Sequence, residues 1–397
     1  MNHPAKPCQL SPSAPRPTPC PCPPSRAARA LPLALALLTT ICAATSPDTA
    51  LAQQQPALQK APQPTAAALS APGAWVAAMR QQVERIERDT PGQLGVYVKR
   101  LDTGEVFAHQ ADRPWYLASS AKLPIAIAVL REVEQGRLRM DQEVVVQDGD
   151  KVDGSGGVVW QDNGTRHDVK DLLRRMLMES DNTAANMLMR SAGQDGIAQR
   201  ARALLGSGAG RITDFAEVRY GVYAEFSPDA RKLSHTDLVR IAGAPMGPRR
   251  VQALARALDV PQKSLQVQTM EDAYARFYRR GDNTASLVAY GGLLENLVRG
   301  KLLNAEHQQL LYKDLKFDTY DAYRLEAGLP RTVRFIHKTG TQFQRACHMG
   351  VIDPQDGGQR AIIVATCAEG LDEQKQAGRA FESLGRAITQ TALKARG

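Results

Sequence analysis

Residues 116–130 read Tyr-Leu-Ala-Ser-Ser-Ala-Lys-Leu-Pro-Ile-Ala-Ile-Ala-Val-Leu. Small residues lead into Ser119, and the apolar run from Leu123 to Leu130 has the composition of a buried helix. That reading sets Ser119 at the positive amino end of the helix, with Lys122 one turn later on the same face. A serine hydroxyl is a weak nucleophile at its own pKa and needs a base within hydrogen-bond reach, which this spacing supplies. Taken alone, Ser-x-x-Lys is a weak signal, and a capping serine with a solvated lysine is the better reading of it.

Two later stretches change the balance. His167 to Ser180 carries Val169, Leu172, Leu173, Met176 and Leu177 at helical spacing, and the pattern stops at Glu179-Ser180-Asp181-Asn182-Thr183. Ser180-Asp181-Asn182 therefore falls at a helix junction, where the plain reading is a pair of good capping residues. Phe335 to Thr341 reads as a strand that loses bulk on one side at Gly340, leaving room for a ligand's backbone to approach closely.

In order along the chain, Ser119-x-x-Lys122, Ser180-Asp181-Asn182 and Lys338-Thr339-Gly340 lie on a helix start, a helix junction and a strand. This triple resembles the signature of class A β-lactamases and penicillin-binding proteins, over roughly residues 73–397. The order of elements is similar too: a helix from Trp75 to Arg88, a hairpin over Gly92–Ala108, a helical region, three strands from Val333 and a final helix over Gln374–Arg396. The resemblance implies an α+β fold, a three-layer α/β/α sandwich in which an antiparallel five-stranded sheet is flanked by helices and carries an inserted all-helical domain. The α/β part would be 73–118 with 331–397, and the helical part 119–330.

The same resemblance implies roles. Ser119 would be acylated, and Lys122 would be its base if neighbouring cations such as Lys338 hold it neutral. Ser180 would pass a proton toward the leaving nitrogen, since a hydroxyl donates and accepts at once. Asn182 would bind the substrate's side-chain amide, Lys338 and Thr339 its carboxylate, and the backbone N–H groups of Ser119 and Thr341, beside Gly340, would form the oxyanion hole. Substrates would be a small-molecule β-lactam or a peptidoglycan stem peptide, with no cofactor and no metal.

The match has gaps. The family carries Glu-x-x-Leu-Asn in a loop after the second motif, to hold the water that releases the acyl group. Here Glu217 is suitably placed within Arg211–Gly221 but no asparagine follows, and Glu225 is a poorer substitute. Without such a carboxylate the enzyme would acylate and stall, as a penicillin-binding protein or D-alanyl-D-alanine peptidase does. Residues 226–282 form an apparent insertion, with packing as its default role, and Arg345 is a candidate anchor for the substrate carboxylate. The readings are thus a class A type β-lactamase, a D,D-peptidase on the same scaffold, or a non-catalytic envelope module.

Composition bounds the rest. The 397 residues are 43% hydrophobic and 23% charged, enough for a sizeable core. Residues 1–30 are rich in proline and arginine, Ala30 to Ala44 is apolar, and Ala50-Leu51-Ala52 is a small-x-small cleavage site, so residues 1–52 read as a signal peptide with an extended leading segment. Residues 53–72 read as a Gln/Pro/Ala tether, and the mature protein as periplasmic or secreted, with no stable membrane insertion.

Cleavage would remove four basic residues and one acidic one, lowering the formal net charge from +9 to +6. Without arginines interleaved with aromatics, that charge gives no nucleic-acid signature. Cleavage would also leave only Cys347 and Cys367 of the six cysteines. Their midpoint, residue 357, falls in the turn between two strands, so a regular hairpin sets them face to face, and an oxidising compartment would join them. The seven histidines, among them His109, His167, His235, His307, His337 and His348, show no metal-ligand spacing. Oligomeric state is not legible.

Overall fold

The computed structural model describes residues 71–316 and 323–396; the expected signal peptide with its Ala52 cleavage site, and nearly all of the tether, lie outside them. The chain opens with α1 (Ala74–Arg88) and the hairpin β1 (Gln93–Arg100) and β2 (Val106–His109), followed by β3 (Pro114–Tyr116) and a 3-10 turn, Ala118–Ala121, that runs straight into α2 (Lys122–Glu134). Next come β4 (Glu143–Val145), β5 (Arg166–Asp168), α3 (Val169–Met178), α4 (Asn182–Ser191), α5 (Gln194–Leu205) and α6 (Phe215–Ala224). Residues 235–298 give α7 (His235–Ala242), α8 (Pro248–Ala257), α9 (Met270–Tyr278), β6 (Thr284–Ser286) and α10 (Leu287–Val298). The chain then forms α11 (Ala305–Asp314), the strands β7 (Phe335–Gln342), β8 (Arg345–Ile352) and β9 (Ile362–Glu369), and α12 (Lys375–Ile388).

The five long strands make one antiparallel sheet in the order β2-β1-β9-β8-β7. Alternation along each strand splits its side chains between two cores. Val96, Val98, Val364 and Ile352 pack with Trp75, Met79, Phe381 and Leu384 of α1 and α12. Tyr97, Ile363, Ala365 and Val351 pack with Ile125, Ile127, Leu172, Met187 and Leu293 on the other side. The molecule is therefore α+β, with helices on both faces of the sheet. In the largely helical region two short ladders, β3–β6 and β4–β5, also form; at three residues each they are too short for an alternating pattern to announce.

Residues 226–282 build α7, α8 and α9, and their apolar faces make a third core around Val222, Phe226, Leu238, Leu254 and Phe277. That core includes Tyr116 and Ala118, the residues just ahead of Ser119. Cys347 and Cys367 sit opposite each other in the β8–β9 register and form a disulfide.

Candidate active site

Ser119 lies in the 3-10 turn, and Lys122 is the first residue of α2 and fully buried. Apolar α2, sealed in the core, fixes this turn against β7. A Cβ on Gly340 would fall 2.1 Å from the Leu117 carbonyl and 2.9 Å from Ser120 Oγ, so only glycine lets the strand approach. Ser180 precedes α4, whose cap is Asp181 accepting from Ala184 N. Ala118 and Ser180 both hold left-handed backbone, at φ 47° and 56°, a strain that the packing around the site sustains.

The Lys122 Nζ stands 3.1 Å from Ser119 Oγ, 3.2 Å from Ser180 Oγ and 2.6 Å from Asn182 Oδ1, and it also donates to the Ser180 carbonyl. Lys338 Nζ reaches the same Ser180 Oγ at 3.0 Å. Two buried amines thus flank one hydroxyl. Burial, then the nearby Lys338 charge, pushes Lys122 well below a lysine's ordinary pKa, against the opposing pull of Asp181. Lys338 is pushed down to about 7, again by burial first and then by the Arg324 guanidinium. A neutral Lys122 has two N–H bonds, matched by the Ser180 carbonyl and Asn182 Oδ1, which leaves its lone pair for the Ser119 hydroxyl.

Arg324 carries no sequence signal and was not among the expected residues. It sits in a turn at φ 56°, is buried, and donates to the Gly340 and Cys347 carbonyls, to Thr341 Oγ1 at 2.9 Å and to the Glu373 carbonyl. It is the buried cation beneath β7, whereas Arg345 is turned to Glu369 at 3.2 Å and lies over the Tyr278 ring.

Glu217 is not brought to this cluster. It lies on α6 rather than in a loop, and its carboxylate accepts from Arg231 at 2.9 and 3.1 Å and faces Arg211 at 4.0 Å. Glu225 is ion-paired with Arg280. The side chain of α6 that does face the cluster is Phe215, whose ring centroid is 4.4 Å from Lys122 Nζ. Among the described residues, the side-chain hydrogen bonds of Lys122 all go to Ser119, Ser180 and Asn182 and none to a carboxylate.

A model of the beta-lactamase enzyme family matches residues 78–392. The chain belongs to that family. Beta-lactamase L2 of Stenotrophomonas maltophilia is 25% identical over 334 residues, 83% of this chain and 91% of that protein. Beta-lactamase Toho-1 of Escherichia coli is 24% identical over 263 residues, 66% and 72% of the two chains. Among solved structures, PBP-A superposes with a TM-score of 0.58 at 16% identity, covering 79% of this chain and 95% of that one. A beta-lactamase of Xanthomonas campestris pv. campestris gives 0.58 at 19%, covering 80% and 98%. Such structural likeness speaks for the fold of this beta-lactamase family member, whose chemistry has to be argued from its own residues. No helix among the described residues is long and apolar enough to cross a membrane.

Proposed function

We propose that this protein is an exported serine enzyme that opens β-lactam and D-alanyl amides through an acyl-enzyme on Ser119, and that it releases β-lactam-derived acyl groups slowly, in the manner of a D,D-peptidase. The observation that carries the slow release is the Phe215 ring against Lys122, with Glu217 committed to Arg231.

In this reading Ser119 Oγ attacks the amide carbonyl as its proton passes to the Lys122 lone pair. The oxyanion is held by the N–H groups of Ser119 and Thr341. The proton continues through Ser180 Oγ, 3.2 Å from Lys122, to the leaving nitrogen. Lys338 and Thr339 hold the leaving group's carboxylate. Asn182 gives one Nδ2 hydrogen to the Asp153 carbonyl at 2.9 Å and keeps the other for the acyl amide. Release reverses the path, with water where the amine left. A peptide's amine departs and clears that position. The amine of an opened β-lactam stays tethered and obstructs it, and on the other side the carboxylate among the described lining residues, Asp153, is committed to Arg219.

The test is intact-mass spectrometry of the mature protein mixed with benzylpenicillin and followed in time. A one-to-one adduct that persists for many minutes, absent in Ser119→Ala, is the expected outcome. Rapid turnover of nitrocefin without accumulation would favour a β-lactamase, the reading supported by kinship with L2. An unmodified protein would leave the non-catalytic envelope module.

A further inference from the structure

Two spaces open on either side of Ser119, and they differ in size. One, of about 190 Å³, is bounded by Ser180, Thr339, Tyr323 and Gln374, on the side of the groups assigned to the leaving-group carboxylate. The other, of about 30 Å³, lies toward Asn182, Phe215, Arg219 and Gln342, on the side of the acyl amide. The smaller volume holds one or two waters.

The reason is a chain of side chains across the cleft. Arg219 on α6 is bidentate to Asp153, both contacts at 2.6 Å, and its third nitrogen donates to Tyr274 Oη at 2.7 Å. Tyr274 Oη in turn donates to Gln342 Oε1 at the end of β7, 3.1 Å away. Both ion-pair partners are largely withdrawn from solvent, at 11% and 13% side-chain exposure, so their attraction is weakly screened.

Each anchor of the chain is fixed. Asp153 lies in a loop clamped onto the second motif, through Asn182 N to the Ser155 carbonyl at 3.1 Å and Val158 N to Asp181 Oδ2 at 2.9 Å. A Cβ on Gly154 or Gly156 would collide with Asn182 or Asp181, so the loop has no room to slide inward. Tyr274 is held on α9 by stacking on Phe343, and Tyr278 Oη beside it donates to the Phe343 carbonyl at 2.7 Å. Residues 226–282 thus brace the β7–β8 tip and Tyr116, and do more than pack on the helical region.

We propose that the Asp153–Arg219–Tyr274–Gln342 bridge determines specificity by closing the acyl end of the cleft, so that the enzyme selects acyl donors with a compact acyl side group and tolerates a bulky leaving group. The inference rests on the Ser119 acyl-enzyme reading. It narrows the natural substrate to short D-alanyl amides and esters over long stem peptides.

The test measures second-order acylation rates by intact mass for 6-aminopenicillanic acid, benzylpenicillin and its 2,6-dimethoxybenzoyl analogue, each divided by its alkaline hydrolysis rate. Each increase in acyl bulk is expected to cost at least about tenfold in the wild-type protein. In the paired variant Asp153→Ser with Arg219→Ser, which removes both buried charges together, the ratio of compact to bulky should fall toward one. Tyr274→Phe, a milder change, should lower it partly. Wild-type rates that do not fall with bulk overturn the proposal, as does a folded paired variant that keeps the wild-type ratio. Acylation by none of the three compounds would instead sink the acyl-enzyme reading, and this inference with it.

Discussion

Replacing Phe215 with glutamate sets a carboxylate where the phenyl ring now faces Lys122, whose Nζ is 4.4 Å from the ring centroid. Two unit charges at that separation, in the effective dielectric of about 20 that suits such sites, attract by roughly 4 kcal/mol, which raises the lysine's hold on its proton. The carboxylate therefore acts twice. It supplies a base for a deacylating water, a part that Glu217, held by Arg231, does not take in the proposed reading, and it draws Lys122 back toward its charged form. The acyl-enzyme formed with benzylpenicillin should lose at least about tenfold in lifetime, equivalent to roughly 1.4 kcal/mol of barrier. The rising limb of the acylation pH profile should move to higher pH, because Lys122 gives up its proton less readily. Phe215→Leu, which opens space without charge, should change neither by more than a few fold. Time-resolved intact-mass spectrometry across pH reads both quantities. Full acylation with an unchanged lifetime in Phe215→Glu would refute the assignment of slow release to this position.

Lys338, held near 7 in the fold against 10.5 for a free lysine, has released a proton that the unfolded chain still binds between those values, so stability rises with pH through that window. The contribution is up to about 4 kcal/mol between pH 7 and 10, and Lys338→Met should lose this pH slope in denaturant unfolding. Gly340→Ala drives a Cβ to within 2.1 Å of the Leu117 carbonyl; displacing β7 from the Ser119 turn should cost acylation at least about a hundredfold, and near-wild-type rates would refute the close approach. Joint replacement of Cys347 and Cys367 by alanine opens a link spanning 20 residues, worth about 3 kcal/mol by loop entropy and measurable as a lowered denaturation midpoint.

The three motifs, their strand and helix placement and the facing cysteines could be read from the chain because each rests on local pattern: a period of 3.6, a period of two, a turn midway between two cysteines. What local pattern does not carry is phase. Phe215 and Glu217 are two residues apart, and on a helix advancing about 100° per residue they point to nearly opposite sides. Which one meets Lys122 is settled by the Asp214 cap, which accepts from Glu217 N and fixes where α6 begins, and by Phe215 N bonding Asn186 Oδ1. Arg324 was hidden for a similar reason, since a lone arginine in a turn has no signature until the fold buries it under β7. Residues 226–282 looked like an addition of unassigned purpose. Only packing set Tyr274 across the cleft from Asp153. The amino-acid sequence by itself determined the fold and brought Ser119, the proposed nucleophile, together with two amines, Lys122 and Lys338. The tertiary structure decided which residues stand around them, because hydrogen-bond reach is a matter of ångströms that sequence spacing does not encode.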